Sequence, residues 1–184
     1  IIVLVGCEQQ PLIDDYKIEG ISTGDTLLDL FSIEKIEEGK INSKRGYPEK
    51  TDHSFFHIFY EKNLKKYDYL SFHALTDDEK YKIKGIFGHR NFKDKKSCLK
   101  EQNKIKEEFS NLYKNTEKTS GEKYYGDTTS TFTYNYFDFP LGERISVQCY
   151  FFESGDIRLS IALVSSVELI KWLEDGNRST SSDS

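Results

Sequence analysis

No stretch of this sequence reaches the roughly 20 apolar residues that a membrane-spanning helix needs, so a helical membrane domain is excluded. Nor is there a surplus of positive charge. With 26 Lys and Arg against 31 Asp and Glu, the formal net charge is −5, which argues against nucleic acid as a main partner, since phosphate neutralisation needs a basic face. Only three cysteines occur, none in a Cys-x-x-Cys pair, and no two of the four histidines stand at His-x-x-His or Glu-x-x-His spacing. A zinc site needs several such ligands converging on one point, so no metal is predicted. Neither a Gly-x-Ser-x-Gly elbow nor a glycine-rich phosphate loop is present, and the sequence points to no catalytic residue and no cofactor. Alanine occurs only at Ala74 and Ala162, while Lys, Ile, Asn, Tyr and Phe are plentiful, the bias of an AT-rich genome.

Methionine is absent altogether, and no charged segment precedes the apolar run Ile1-Ile2-Val3-Leu4-Val5-Gly6-Cys7. Leu4-Val5-Gly6-Cys7 resembles the lipobox of bacterial lipoproteins. The resemblance implies that residues 1–6 are the remnant of a signal peptide whose start lies before Ile1. It also implies cleavage before Cys7 and a lipid on the Cys7 thiol. Glu8-Gln9-Gln10-Pro11 opens a polar tether over residues 7–15. Lipid chains contribute roughly 0.8 kcal/mol per buried CH₂, so the chains of a lipoprotein would hold it at a membrane without a spanning helix. Aspartate after the cysteine favours inner-membrane retention in that family. Glu8 stands there instead, which points to the periplasmic side of the outer membrane. A core strand ending in a glycine turn is the competing reading of residues 1–7.

The remaining chain, 36% hydrophobic and 14% aromatic overall, suffices for one α+β domain over residues 16–176. Ser22-Thr23-Gly24-Asp25 before Leu27, Leu28, Leu30 and Phe31 predicts a helix start. The helix is expected to continue over Ile33 to Glu38 and to stop at Gly39. This stretch resembles the first helix of the small lipoprotein subunit of the outer-membrane barrel-assembly machinery. Together with the residues downstream of it, the same stretch resembles uncharacterised secreted proteins of marine alphaproteobacteria. Residues 40–53 read as a loop. Period-two patterning then predicts three strands over 54–60, 67–75 and 81–87.

Asp94 is placed to cap a helix from Lys95 to Tyr113, with Cys98, Ile105, Phe109 and Leu112 on one face. Asn115 to Gly126 reads as a loop. Strands over 129–139, 145–152 and 157–164 come next, and Ser165 with Glu168 predicts a capping box for a C-terminal helix. Residues 177–184 are too polar and small to pack. The order is thus a helix plus a three-stranded meander, occurring twice, then a final helix. A predominantly antiparallel sheet with helices packed on it is the predicted architecture.

Two kinds of site emerge. An exported domain meets an oxidising compartment, and with Cys7 lipidated, Cys98 and Cys149 are the remaining thiols. Both sit on apolar faces of their elements, so a disulfide between them is predicted, with two independent buried thiols as the alternative. Aromatics are the second feature. Tyr134 and Tyr136 share a strand face with Phe132, Tyr150 shares one with Phe152, and Tyr124 and Tyr125 close the preceding segment. Core packing accounts for most of them, and the rest suggest a tyrosine-rich patch for an envelope protein or a glycan. These features together predict a lipid-anchored, non-enzymatic binding or scaffolding module of the cell envelope. The alternative is an envelope enzyme with a shallow site built from His57, His73 and nearby acids.

Overall fold

A computed structural model describes residues 16–46, 54–125 and 129–176. Residues 1–6, expected as a signal remnant, 7–15, expected as a tether bearing Cys7, and 177–184, expected as an unpacked tail, lie outside the described residues. Seven strands form one antiparallel sheet in the order β1-β2-β3-β7-β6-β5-β4, which confirms the α+β, antiparallel architecture. The strands are β1 (Phe55–Tyr60), β2 (Tyr69–Leu75), β3 (Ile83–Phe92), β4 (Glu117–Tyr124), β5 (Thr131–Asp138), β6 (Arg144–Phe151) and β7 (Ile157–Val164). Helix α1 (Ile33–Gly46) precedes β1, α2 (Lys95–Leu112) joins β3 to β4, and α3 (Val167–Gly176) follows β7. The two meanders therefore run inward from opposite edges and meet where β3 pairs with β7.

The core follows from strand alternation. Ile58, Phe72, Ile86, Leu163, Ile145 and Phe137 stand in one register row across six strands, and all six are buried. Each is worth about 1.5–3 kcal/mol of removed apolar surface. Helix α1 packs on β1 at one side of this face, and α2 packs on β6, β7 and β3. Asp94 caps α2, its carboxylate accepting from Ser97 N–H at 2.8 Å. Cys98, Gln102, Ile105 and Phe109 make the buried stripe of α2, whereas Leu112, predicted on that face, is 53% exposed at the helix end. Gln102 is satisfied inside: its amide donates to Val147 O at 2.9 Å and Thr133 O at 3.0 Å, and its Oε1 accepts from Thr133 Oγ1. Cys98 and Cys149 are joined by a disulfide with Cα atoms 6.2 Å apart, within the ordinary span for that bond.

Several sequence expectations are corrected. The first helical element is a single 3-10 turn, Leu27–Asp29, capped by Thr26 rather than by Ser22 or Asp25. Helix α1 does not stop at Gly39 but passes through it to Gly46. Gly39 faces β1, where a Cβ would lie 3.5 Å from Ile58, so a small residue allows close helix–sheet approach. The segment read as a loop from Asn115 contains β4, making the second meander four-stranded. The cap of α3 is Ser166, which accepts from Leu169 N–H at 3.2 Å. Ser165, one residue earlier, bonds to Lys84 O instead.

The two sheet edges differ. At β1 the outward backbone groups of His57 are occupied by α1, with Ser43 Oγ accepting from His57 N–H at 3.0 Å and donating to His57 O at 3.2 Å. Strand β4 is exposed at every position.

Candidate binding face

The sheet face opposite α1 and α2 carries the alternate residues of each strand. Helix α3 covers one end of it, Leu169 and Trp172 packing with Phe55, Ala162 and Val164. Gly85 permits this, because a Cβ there would stand 2.8 Å from Leu169 Cδ2. Arg144 fastens the helix further, pairing with Asp138 across the hairpin and with Glu174 of α3 at 2.7 Å.

Beyond α3 the face has an aromatic–polar pattern. The central strands β6 and β7 supply small or polar residues, Ser146, Gln148 and Ser160, all buried. Aromatic rings rise on both sides of them. On β5, Tyr134 and Tyr136 stack at 4.5 Å, and Phe132 stacks on Tyr150 of β6 at 5.2 Å. Tyr125 meets Tyr150 edge-on at 5.1 Å. On the other side Tyr69 stacks on His89 at 4.4 Å. A chain of phenols and amide links the strands: Tyr150 donates to Gln148 Oε1 at 2.9 Å, and Gln148 Nε2 donates to the Tyr136 hydroxyl at 3.2 Å.

Four of the five tyrosines singled out in the sequence, Tyr125, Tyr134, Tyr136 and Tyr150, are therefore brought together. Tyr124 is not. Adjacent strand residues point to opposite faces, and Tyr124, 71% exposed, is on the side away from Lys123, whose ammonium lies over the Tyr134 ring at 4.8 Å.

Arg158 is the group that sequence reasoning missed. Its guanidinium lies over Phe152 at 4.9 Å and Tyr69 at 5.5 Å, and its Nε is buried with no hydrogen-bond partner among the described residues. The Nδ1 atoms of His89 and His73 are likewise buried and unpartnered there. The available signal was alternation in β7, which sets Arg158 and Ser160 against the buried Leu159 and Ile161.

Titration of the face follows from its burial. Desolvation, with the neighbouring Arg158 charge adding to it, depresses His89 to about 3. His73 is also held at about 3, by desolvation first and then by His57 and His89. Burial pushes Tyr136 up to about 12 and Tyr150 far above the ordinary phenol range. Near neutral pH these rings are uncharged, and the Arg158 cation sits among them.

His57 and His73, the pair considered for chemistry, stand opposite each other on β1 and β2 with ring centroids 5.9 Å apart. The further rings around His73 are Phe87 at 4.8 Å and Trp172 at 6.0 Å. Among the described residues no group of three or more His, Cys, Asp or Glu is placed to hold a metal ion, and no helix is long and apolar enough to cross a membrane. Comparison with protein-family models, curated proteins and solved structures returned no match.

Proposed function

We propose that the chain is a lipid-anchored, non-enzymatic binding module of the bacterial cell envelope that takes its partner on the aromatic face around Arg158. One observation carries the binding reading: a guanidinium with an unpartnered buried Nε, bracketed by Tyr69 and Phe152 and flanked by Tyr150. Such a group pairs well with a carboxylate or phosphate, and planar rings beside it suit an apolar ring face. A sugar bearing an acidic group presents both. The chemical class of the partner is therefore an acidic envelope glycan.

The anchor rests on Leu4-Val5-Gly6-Cys7, and the Cys98–Cys149 bridge supports an exported location because structural disulfides persist in oxidising compartments. An enzyme built on His57 and His73 is the weaker reading. A buried imidazole held at about 3 is a poor base near neutral pH, where general bases work best when their pKa matches the medium.

Calorimetric titration of the purified protein with acidic and neutral oligosaccharides tests this reading. Acidic members should bind, and Arg158→Met should abolish the heat while leaving the melting temperature nearly unchanged. Equal binding of neutral sugars, or binding that survives Arg158→Met, would count against it.

A further inference from the structure

Strand β4 is an edge that nothing in the described chain covers. Its eight residues are all exposed, and its pairing with β5 runs from Glu117 to Tyr124 without a bulge. Natural sheets usually blunt such an edge with a bulge, a proline or a covering element, as Ser43 of α1 does at the β1 edge. Lysines are the one deterrent here, and they alternate with glutamates.

The direction of the open backbone groups can be read. Tyr125 N–H donates to Ser130 O at 2.9 Å, just past the end of the β4–β5 ladder. In an antiparallel pair hydrogen bonding alternates, so odd-numbered residues of β4 turn their N–H and C=O groups toward β5. Lys118, Ser120, Glu122 and Tyr124 turn theirs outward. A second strand can dock only if its own outward groups meet these.

We propose that the chain forms a two-fold dimer by antiparallel pairing of β4 with β4 of a second copy, joining the two sheets into one. An axis through Ser120 satisfies the outward groups on both strands. It also sets Lys118 opposite Glu122 of the second copy and Glu117 opposite Lys123. The members of each pair lie on the same face, because residues related by this axis have the same strand parity. Neighbouring registers lack this match. Axes through Thr119 or Gly121 bring no opposite charges together, and axes through Lys118 or Glu122 place like charges on each other. The charges that repel an unrelated strand thus select a copy of this one in a single register. Among the described residues the Lys118 ammonium makes one long contact, to Ser110 O at 3.4 Å, and no ion pair. Lys123 lies over Tyr134 on the face that its pairing with Glu117 would use. The proposal is independent of what the aromatic face binds.

Sedimentation velocity on the full chain carrying Cys7→Ser, from micromolar to millimolar concentration, reads the association directly. The unaltered edge should give a dimer. Lys118→Glu should weaken it on the order of tenfold, since two symmetry-related pairs become repulsive, and adding Glu122→Lys should restore it by exchanging the signs. Ser120→Pro should yield a monomer with an unchanged thermal melt, because it removes an outward N–H and no bond to β5. A monomer at every concentration would overturn the proposal. So would a dimer indifferent to Lys118→Glu and Ser120→Pro, or one that the double charge exchange fails to restore.

Discussion

Cys98 on α2 and Cys149 on β6 are bonded across the interface between helix and sheet, 51 residues apart in sequence. Four residues along the same helix face from Cys98, Gln102 bonds to the carbonyls of Thr133 and Val147. The helix is thus fixed to the sheet by a covalent link and a buried amide.

In the chain-entropy model a loop of this length makes the disulfide worth about 4 kcal/mol. Replacing both cysteines by alanine should lower the free energy of unfolding in urea by roughly that amount. Thiol counting on denatured, unreduced protein should find Cys98 and Cys149 blocked, and two reactive thiols from these positions would contradict the bridge.

Acid should destabilise the fold from pH about 6.5 downward, through its buried histidines. His73 and His89 are held at about 3 when folded, against about 6.5 in an unfolded chain. Between those values the unfolded state binds more protons, so stability is full above pH about 6.5 and falls as pH drops toward 3. Each histidine contributes a slope of up to about 1.4 kcal/mol per pH unit. Melting temperature measured against pH should show this decline, and His73→Phe should make it shallower by the share of His73, leaving that of His89. A flat profile from pH 6.5 to 4 in the wild type would contradict it.

Gly88 lies beneath the Tyr67 ring, where a Cβ would stand 2.6 Å from Cε1. Gly88→Ala must therefore displace Tyr67, at a cost of about 1–3 kcal/mol typical of overpacking. Urea denaturation measures the loss. A variant as stable as wild type would show that Tyr67 moves freely.

How much of this was legible in the sequence depended on whether an element had a buried side to declare. Strands β6 and β7 alternate because one face packs under α2, and α2 has an apolar stripe for the same reason; β5 alternates because its rings line the opposite, aromatic face. Strand β4 reads as a loop because Glu-Lys-Thr-Ser-Gly-Glu-Lys-Tyr has no apolar period. Both of its faces are in solvent, and its strand state comes from pairing with β5. Gly39 reads as a helix stop, yet its lack of a side chain serves the approach to Ile58. The tyrosine cluster was visible through alternation on two strands. Arg158, Tyr69 and His89 were not, since only the order β2-β3-β7-β6 brings them toward Tyr150.

The anchor has its own test. Expressed with an intact signal peptide, the protein should incorporate labelled fatty acid and partition into detergent, and Cys7→Ala should abolish both. Label retained in the variant would contradict lipidation at Cys7.

The side-chain Nε–Hε resonance of Arg158 reports most directly on the central claim, that the aromatic face is the partner surface. Followed by nitrogen-edited NMR during titration with acidic oligosaccharides, this resonance should shift saturably, together with the backbone signals of Tyr69 and Tyr150. Saturable binding that leaves Arg158 unmoved and perturbs α2 or α1 instead would contradict the account.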